Sequence, residues 1–312
     1  MKGFIFAAGF GERLRPLTNE MPKSLLPVLN LPSICYSLSL LKQAGIKQII
    51  INLHYRHKDI IEYFRTNNNF GMEIEFSIED TILGTGGGFK KCEEIIGNSD
   101  VLLINSDLII DIDLKLLIAY HREKKDPATL VLHKTNEAPV IGPASIEGNR
   151  IIDFKNFLGT NKTSEYIYAG VGIVSPVIFN YLSSEFSSIV YTGYVELIKR
   201  HFIAFYEHTG YWQDIGTIES YWKANIDLLK EFKSLNKRIL PVLGLAPEIV
   251  FPDSNIKSTA HIRDSVVGKG VIIGDAAVVE RSVLLPGSVI KAGAEIRNSV
   301  VFRDQVFKVI HD

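Results

Sequence analysis

A glycine loop with spaced cations follows the first apolar segment of the chain. Residues 3–8 are apolar and predict a buried strand, and Gly9 and Gly11 allow a tight turn directly after it. Backbone N–H groups in such a turn can bind phosphate oxygens. Arg13 can add a bidentate guanidinium contact, and Lys23 can add a point charge. These residue types in this order are suited to holding a polyphosphate.

Two aspartates occupy segments that could complete such a site. Asp107 follows the apolar residues 101–104, where a buried strand is expected to reach solvent. Asp214 lies in Trp-Gln-Asp-Ile-Gly-Thr at residues 212–217, between an aromatic residue and a glycine turn. A single aspartate at a strand end is often only a turn or cap residue. Two carboxylates that converge on substrate phosphates form a typical Mg²⁺ site, so we interpret the pair as metal ligands.

The sequence around the first loop resembles the signature of the sugar-1-phosphate nucleotidylyltransferases, also called nucleotide-sugar pyrophosphorylases. The resemblance lies in the small residues at 7–11, in Arg-Leu-x-Pro-Leu-Thr at 13–18 and in Pro-Lys at 22–23. It implies a reaction of a nucleoside triphosphate with a sugar 1-phosphate that yields a nucleotide sugar and pyrophosphate. It also implies Mg²⁺ as the cofactor, bound by Asp107 and Asp214. The catalytic residues that it implies are Arg13, Lys23, Asp107 and Asp214.

A second glycine-rich segment, residues 84–88, precedes a helix predicted over residues 89–96. Taken alone, it could be a flexible loop with a glycine at the N-terminus of the helix. The resemblance implies that this segment and the first loop surround the base and ribose, where glycines let backbone groups approach closely. The nucleotide-binding residues expected on this basis are Ala8, Gly9, Gly11, Gly86 and Gly87.

The sequence specifies the sugar-binding site less fully than the nucleotide-binding site. Residues 166–172 resemble the family's strand whose glycine lies beside the hexose, and Val-Ile-Gly at 140–142 resembles another glycine contact. The Glu-Lys-Pro motif of many family members, whose lysine grips the sugar phosphate, is missing, and Ile-Asp-Phe-Lys-Asn at 152–156 stands in its place. The sugar-binding candidates are Gly142, Lys155, Glu165 and Gly170, although Lys155 and Glu165 could equally be solvated surface residues.

The residues favour direct in-line displacement over a covalent intermediate. The chain has no nucleophile elbow, and neither cysteine lies in a recognisable catalytic motif. A phosphate dianion is already the nucleophile at neutral pH, so little acid–base assistance is required. The eight histidines show no metal-ligand spacing and are given no role.

Composition places the chain among ordinary globular proteins. Its 312 residues are 46% hydrophobic and 22% charged. The formal net charge is −1, from 34 Lys and Arg against 35 Asp and Glu, so no global basic field favours nucleic acid or an anionic membrane. Two cysteines fit a reducing compartment, and no apolar run reaches the length of a membrane span. We expect a cytoplasmic protein.

Apolar strands alternate with amphipathic helices from the N-terminus to about position 230. This pattern predicts an α/β fold: a Rossmann-like, mostly parallel sheet flanked by helices. In such sheets ligands bind beyond the carboxyl ends of the strands, where both the first loop and Asp107 would lie. The clearest predicted strands are residues 48–53, 73–78, 101–104 and 128–133. The predicted helices are residues 33–44, 58–66, 89–96, 113–124 and 218–235.

The C-terminal part has a different period. Aliphatic or aromatic residues recur every six positions, with glycines between them, a pattern typical of a parallel β-helix whose stacked repeats share one core. The hexads predict these inward residues: Val266, Ile272, Val278, Leu284, Ile290, Ile296 and Phe302. The family resemblance implies a short left-handed β-helix. The predicted domains are a catalytic domain at 1–235, a linker at 236–252 and the β-helix at 253–312.

Several assignments stay open at this point. The domain plan looks like mannose-1-phosphate guanylyltransferase, whereas Thr-Gly-Gly-Gly at 85–88 and Tyr-Ala-Gly-Val at 168–171 look like N-acetylmuramate-1-phosphate uridylyltransferase. A heptose-phosphate guanylyltransferase is a third possibility. Two rivals remain, a bifunctional acetyltransferase, for which the β-helix is too short, and a regulatory paralogue without catalysis. We expect the tail to serve assembly and stability in a homo-oligomer rather than chemistry.

Overall fold

The computed structural model describes residues 1–231 and 240–309. The chain forms two compact units, of which the first comprises residues 1–10 and 40–212 and the second comprises residues 11–39 and 213–312. Both predicted domain boundaries, at 235 and 252, fall within the range of the second unit, which also contains residues 11–39. Residues 232–235 of the last predicted helix and 236–239 of the predicted linker lie outside the described residues.

The secondary structure follows the predicted alternation through most of the predicted catalytic domain. The strands are β1 (Lys2–Phe6), β2 (Pro27–Val28), β3 (Leu31–Pro32), β4 (Gln48–Leu53), β5 (Glu73–Ile78), β6 (Val101–Asn105), β7 (Leu108–Ile110), β8 (Ala128–Lys134), β9 (Ala144–Glu147), β10 (Arg150–Phe154), β11 (Tyr166–Val174), β12 (Ile203–His208), β13 (Trp212–Asp214), β14 (Asn255–Ile256), β15 (His261–Arg263), β16 (Val266–Val267), β17 (Ile272–Ile273), β18 (Val278–Glu280), β19 (Val283–Leu284), β20 (Val289–Ile290), β21 (Glu295–Arg297), β22 (Ser299–Phe302) and β23 (Gln305–Lys308). The α-helices are α1 (Leu17–Glu20), α2 (Ile34–Gln43), α3 (His57–Thr66), α4 (Gly84–Lys90), α5 (Glu93–Ile96), α6 (Leu114–Lys124), α7 (Ala138–Ile141), α8 (Val195–Arg200) and α9 (Ile218–Glu231). Short 3₁₀ segments are Glu12–Leu14, Lys23–Leu25, Asn68–Gly71, Pro176–Tyr181 and Leu240–Leu243, and one π-helical turn is Val190–Tyr194.

One sheet forms the centre of the first unit, with the strand order β5-β4-β1-β6-β11-β8-β12-β10-β9. Strand β11 is antiparallel to β6 and β8, and β10 is antiparallel to β12 and β9. The other neighbours are parallel, so only β11 and β10 oppose the common direction. The predicted mostly parallel sheet is confirmed. Parallel strands buried on both faces require continuous apolar runs, and β1, β4 and β6 have them.

The core of the first unit contains aromatic contacts on one side of β1. Phe89 lies edge-on to Phe4, with ring centroids 5.0 Å apart, and stacks on Phe179 at 4.8 Å. All three rings are at most 2% exposed. Offset and edge-on aromatic pairs add to the stabilisation from buried area. This cluster fixes α4, the helix that carries the second glycine-rich segment, against the sheet.

The tail of the second unit is a parallel β-helix, which confirms the predicted fold class. Its three faces are β14-β17-β20, β15-β18-β21 and β16-β19-β22, with β23 added antiparallel to β22. The strands of one face are in register from coil to coil, as in the series His261, Val278 and Glu295. These register partners show that one coil is one residue shorter than three strict repeats of six.

The shorter coil corrects part of the predicted inward set. The inward positions follow the spacing six, six, five and are Val267, Ile273, Val279, Leu284, Ile290, Ile296 and Val301. Leu284, Ile290 and Ile296 are inward as predicted. Ile272 is 44% exposed and points outward. Val266, Val278 and Phe302 are also one position out of phase and outside the inward cluster, although Val266 is only 2% exposed. A one-residue shift along a strand reverses the face to which a side chain points, so the strict period was wrong wherever a five-residue step intervenes.

Among residues 1–231 and 240–309, no helix combines the length and the apolarity that crossing a bilayer requires.

Candidate functional site

Contacts among Gly11, Thr18 and Lys23 hold the signature loop, residues 7–23, in a compact conformation. Gly11 has a φ of 68°, in the left-handed region that glycine tolerates best. The Thr18 hydroxyl donates a hydrogen bond of 2.9 Å to the Gly11 carbonyl oxygen. A Cβ at residue 11 would lie 2.9 Å from Thr18 Cγ2 and 3.2 Å from Lys23 Cβ. Both the backbone conformation and the close approach of Lys23 therefore require glycine at this position.

Arg13 and Asp214 meet at one face of Gly216. A Cβ at residue 216 would lie 2.8 Å from an Arg13 Nη2 atom and 3.2 Å from Asp214 Oδ2. The backbone N–H of Gly216 also donates a hydrogen bond of 3.4 Å to Asp214 Oδ1. Side chains that are far apart in sequence thus place one cation and one anion beside the same glycine. The structure brings together two of the four predicted catalytic residues, and the absence of a side chain at residue 216 makes the arrangement possible.

The space beside Gly9 is open, in contrast to most other glycines of the site. A Cβ at residue 9 would have no protein atom within 4 Å. Ala8, directly before it, is 7% exposed. Packing within the protein does not account for glycine at residue 9. The openness leaves room for a ligand to approach the backbone there, as the nucleotide-binding prediction requires.

A buried polar pair supports the first loop from behind, and the sequence analysis missed it. Asn52 Oδ1 accepts a hydrogen bond of 3.0 Å from the backbone N–H of Ala7, the residue after the last one of β1. Asn52 Nδ2 donates to Glu79 Oε1 at 2.8 Å, and Glu79 Oε2 accepts from the Leu83 N–H at 2.8 Å. Both side chains are 2% exposed. Buried polar groups must be paired, so this network fixes Ala7, at the end of β1, relative to Leu83, the residue before the second glycine segment.

The second glycine segment is itself helical, because α4 begins at Gly84 instead of following the segment. A Cβ at Gly86 would lie 2.4 Å from Ser187 Oγ, and one at Gly87 would lie 2.3 Å from the Glu185 carbonyl oxygen. The Gly86 N–H donates to the Ser187 carbonyl oxygen at 2.8 Å. Gly86 and Gly87 are thus required for packing against residues 185–187. Their contact with a nucleotide remains a prediction.

Gly170 lies at a bulge of β11 and faces the strand that leads to Asp107. The register of β11 against β8 shifts between Tyr168 and Gly172, and Gly170 has a φ of 77°. A Cβ at residue 170 would lie 2.8 Å from Asn105 Nδ2. Asn105 ends β6, and Asp107 follows in the turn before β7, where it is half-buried. The predicted sugar-binding strand therefore lies beside the segment of the predicted metal ligand.

Trp212, which shortly precedes Asp214 in the sequence, binds the same strand. Its indole Nε1 donates a hydrogen bond of 3.0 Å to the Ala169 carbonyl oxygen, and its ring stacks on His133 with centroids 5.6 Å apart. His133 Nδ1 contacts the His208 carbonyl oxygen at 3.0 Å, and burial lowers the pKa of His133. His208 Nε2 in turn lies 3.2 Å from Asp111 Oδ1. His133 and His208 therefore have a structural role next to Trp212. Their lack of metal-ligand spacing in the sequence could not reveal this role.

Two of the four sugar-binding candidates line one cavity of about 490 Å³. Gly142 and Lys155 lie against each other in its lining, because a Cβ at residue 142 would overlap the Lys155 side chain. Lys162, which forms an ion pair with Glu147, is also in the lining. Buried Asp153 holds the loop after Lys155 by accepting hydrogen bonds from the backbone N–H groups of Leu158 and Thr160. The segment that replaces the family's Glu-Lys-Pro motif is thus an ordered wall of this cavity.

Glu165 is placed differently from the other sugar-binding candidates. Its carboxylate is 61% exposed and lies 2.9 Å from Lys134 Nζ, and this hydrogen bond raises the pKa of Lys134. An exposed ion pair of this kind contributes little to stability. The contact is what a solvated surface residue would show, so it adds no support to a role of Glu165 in binding sugar hydroxyls.

Comparison with known proteins identifies the family. The Nucleotidyl transferase family model matches residues 2–231, almost three quarters of the chain, and a model described as GlmU-like, C-terminal hexapeptide matches residues 244–309. The chain belongs to the nucleotidyl transferase family. The strands of the β-helix lie within the residues that the hexapeptide model matches.

Individual relatives agree with this assignment. A mannose-1-phosphate guanyltransferase of Yarrowia lipolytica is 31% identical over 244 residues, which cover 77% of this chain and 67% of the relative. A UTP–glucose-1-phosphate uridylyltransferase of Synechocystis is 28% identical and covers 91% of this chain and 82% of the relative. The crystal structure of a putative glucose-1-phosphate thymidylyltransferase of Bacillus anthracis, in complex with sucrose, superposes with a TM-score of 0.64 at 27% identity, covering 72% of this nucleotidyl transferase and 94% of that chain.

The metal prediction depends on the donor chemistry of two residues. Asp107 belongs to the first unit and Asp214 to the second. Within the described parts of the chain, no three His, Cys, Asp or Glu side chains cluster as a protein-only metal site would require. Mg²⁺ usually binds through one or two carboxylates and completes its octahedron with waters and substrate phosphates. Each aspartate has the donor chemistry that Mg²⁺ prefers, and the binding of Mg²⁺ remains a prediction.

Proposed function

We propose that this nucleotidyl transferase is a Mg²⁺-dependent sugar-1-phosphate nucleotidylyltransferase, and that its reaction is GTP with mannose 1-phosphate to give GDP-mannose and pyrophosphate. The observation that carries the substrate assignment is the set of relatives named mannose-1-phosphate guanyltransferase, which are 28–31% identical and align with 69–84% of the chain. The domain plan predicted from the sequence favours the same branch of the family.

The residues of the site suit in-line transfer without a covalent intermediate. An oxygen of the sugar 1-phosphate attacks the α-phosphorus of the nucleotide, the bond from that phosphorus to the bridging oxygen breaks, and pyrophosphate leaves with the electron pair. In this proposal Arg13 stabilises negative charge that develops on the phosphates, and Lys23 adds a second cation from the same loop. A phosphate dianion needs no general base, so the supporting roles of His133 and His208 are consistent with this chemistry.

The proposed metal ligands are Asp107 and Asp214. When bound there, Mg²⁺ would supply charge neutralisation to the triphosphate and the pyrophosphate leaving group. The Arg13 guanidinium lies on the same side of Gly216 as Asp214, so a cation of the protein itself is close to this candidate ligand.

The cavity lined by Gly142 and Lys155 is a candidate binding site for the phosphate of the sugar 1-phosphate. Lys155 and Lys162 are both in its lining, and an ammonium group suits the phosphate of a sugar 1-phosphate. Lys162 already forms an ion pair with Glu147, so Lys155 is the main candidate. Gly170 at the bulge of β11 is the candidate neighbour of the hexose itself. Lys155 would in this way replace the lysine of the missing Glu-Lys-Pro motif.

One observation favours a second substrate pair. The match to the Synechocystis uridylyltransferase extends over 91% of this chain, further than the alignments with the guanyltransferases. UTP with glucose 1-phosphate is therefore the alternative reaction. N-acetylmuramate 1-phosphate with UTP and a heptose phosphate with GTP stay open from the sequence, and a regulatory paralogue would catalyse none of these reactions.

A pyrophosphate-release screen tests the proposal. The purified chain is incubated with each of the four ribonucleoside triphosphates and dTTP, crossed with mannose, glucose, N-acetylmuramate and heptose 1-phosphates, with Mg²⁺ or with EDTA. We expect the highest kcat/KM for GTP with mannose 1-phosphate and no release in EDTA. A maximum at UTP with glucose 1-phosphate would select the alternative, and no release with any pair would favour the regulatory paralogue.

A further inference from the structure

A hairpin with a two-residue turn directly follows the signature loop, and the tip of this hairpin contacts the C-terminal tail. Strands β2 and β3 pair antiparallel, with Val28 opposite Leu31, so only Leu29 and Asn30 form the turn. Both have positive φ, of 46° and 63°. Positive φ at both central residues is the geometry of a type I′ turn, which matches the twist of paired strands. Leu29 is unusual there, because a branched aliphatic residue rarely adopts positive φ. Contacts beyond the hairpin must stabilise this turn.

Those contacts are made by the tail and by α9. Asn30 Nδ2 donates both of its hydrogens, at 2.8 Å to the Glu248 carbonyl oxygen and at 2.9 Å to the Val267 carbonyl oxygen. The Leu29 side chain is fully buried, and its backbone N–H donates to Asn225 Oδ1 at 2.9 Å. The Glu248 N–H returns a bond of 3.3 Å to the Leu29 carbonyl oxygen. The tip of the hairpin is therefore held on both sides by residues of the second unit.

The base of the hairpin is tied to Lys23. The Lys23 carbonyl oxygen accepts hydrogen bonds from the Leu26 N–H at 3.1 Å and from the Ser33 hydroxyl at 3.3 Å. Ser33 is fully buried and also donates to the Ser24 carbonyl oxygen at 3.1 Å. Lys23 Cβ packs against Gly11 in the same loop. A continuous set of contacts thus connects the first coil of the β-helix with the backbone of Lys23.

A second connection reaches the loop from the other end of the tail. Arg303, in the turn between β22 and β23, forms an ion pair of 2.6 Å with Glu20, which shortly precedes Lys23. Both side chains are largely exposed, so this pair alone is weak. Between the two attachments, α9 packs on the β-helix through Trp222, whose Nε1 donates to the Arg281 carbonyl oxygen at 2.7 Å.

We infer that the β-helix positions Lys23 for catalysis, with Asn30 as the positioning residue that transmits this restraint. The tail then has a part in the rate of the reaction, in addition to the role in assembly and stability that the sequence predicted. The inference rests on the proposed function, because Lys23 is assigned to the phosphates of the nucleotide only there. A positioned cation stabilises the transition state more than the ground state, so loss of the restraint should appear mainly in kcat.

The test uses full-length Asn30→Asp, which removes both donors while keeping the size of the side chain and its tolerance of positive φ. We expect kcat of pyrophosphate release to fall about 10-fold with KM values changed less than about 3-fold, as expected for a transition-state contact. Thr259→Val is the matched control. It also removes a tail side chain with two hydrogen bonds, to Asp275 and from Ala276, but touches no part of the hairpin. We expect it to keep the wild-type kcat even where its Tm falls as far.

A double-mutant cycle separates positioning from general destabilisation. In the Lys23→Gln background, Asn30→Asp should cost less than about 2-fold in kcat, because coupled residues give non-additive effects. If Asn30→Asp does not fold, Asn30→Gly replaces it, since glycine keeps the turn and loses only the amide contacts. An unchanged kcat in a folded Asn30 variant, or a full loss of about 10-fold in the Lys23→Gln background, would overturn the inference. Inactivity of the wild type would instead contradict the proposed function.

Discussion

The indole Nε1 of Trp212 donates a hydrogen bond of 3.0 Å to the carbonyl oxygen of Ala169. The residue after Ala169 is Gly170, the candidate neighbour of the sugar, and shortly after Trp212 comes Asp214, a candidate metal ligand. Trp212 thus binds the strand that carries one candidate site residue and lies shortly before the other in the sequence. We expect changes at Trp212 to affect both of them.

Trp212→Phe should lower kcat/KM for the sugar 1-phosphate by about 5-fold, because it removes a half-buried hydrogen bond worth about 1 kcal/mol and leaves the Ala169 carbonyl oxygen without that donor. Steady-state kinetics with each substrate varied in turn measures the effect. Phenylalanine keeps the stacking partner for His133, so the fold should be retained. Unchanged kinetics would mean that the hydrogen bond does not position the strand.

Asp107→Asn and Asp214→Asn should each abolish most turnover while leaving Tm nearly unchanged, because they remove charge without changing size. If the two residues share one metal ion, the double variant should be no slower than the slower single variant. Initial rates over a range of Mg²⁺ concentrations give the measurement. Wild-type rates in Asp214→Asn at saturating Mg²⁺ are the outcome that this assignment does not allow.

Gly216→Ala should reduce kcat by at least about 10-fold, although the substitution adds only one methyl group. The new Cβ would lie 2.8 Å from the Arg13 guanidinium and 3.2 Å from Asp214 Oδ2, so at least one of these groups must move. Gly97→Ala serves as a control for changing a glycine, because a Cβ there meets no atom within 4 Å, although its φ of 63° costs some stability. Equal rates in both variants would show that the placement of Arg13 and Asp214 is not critical.

Leu284→Asp should destabilise the β-helix by several kcal/mol, since it places a charge in a narrow apolar core where the wild-type residue is 1% exposed. Ile272→Asp should change stability by less than about 0.5 kcal/mol, because Ile272 points to solvent. Thermal unfolding of the two variants beside the wild type decides between the shorter coil and a strict repeat of six. Equal destabilisation would contradict the observed phase.

Sequence reasoning was most successful where one local pattern has one physical solution. Continuous apolar runs in β4, β6 and β8 predicted a central sheet, because only strands buried on both faces have such runs. The β-helix was predicted from its period, but the five-residue steps that close each coil could not be found by counting in sixes. The start of α4 at Gly84 could not be predicted from the local sequence either. Its glycines are needed for packing against residues 185–187, which are far away in sequence.

The same limit applies to the site. The signature residues could be predicted because their types and order are specific to phosphate chemistry, whereas Asn52, Glu79 and Asn30 are ordinary polar residues whose partners only the folded chain reveals. Glu79 lies close to the second glycine segment in the sequence, but nothing in the sequence indicates that its side chain pairs with Asn52. The hairpin of Leu29 and Asn30 shows no turn signal beyond one asparagine.

Stability should decrease as the pH falls from about 7.5 to about 5.5. Burial lowers the pKa of both His121 and His133 below the ordinary value of 6.5, so the unfolded chain takes up protons first as the solution is acidified. This contribution to stability is complete above pH 6.5 and is lost towards the lowered pKa values. His121→Asn, which can keep a hydrogen bond with Thr129, should show a shallower fall in Tm with pH. An identical slope would contradict the assignment of this dependence to His121.

The position of an isotope label tests the central claim of nucleotidyl transfer most directly. The wild-type chain is incubated with Mg²⁺, mannose 1-phosphate and GTP that carries ³²P either at the α-phosphorus or at the γ-phosphorus, and the products are separated by chromatography. In-line attack at the α-phosphorus predicts that α-label appears in GDP-mannose and γ-label in pyrophosphate, in equal amounts. Label in free orthophosphate, or a labelled nucleotide sugar absent with every nucleotide and sugar 1-phosphate pair, would contradict the account.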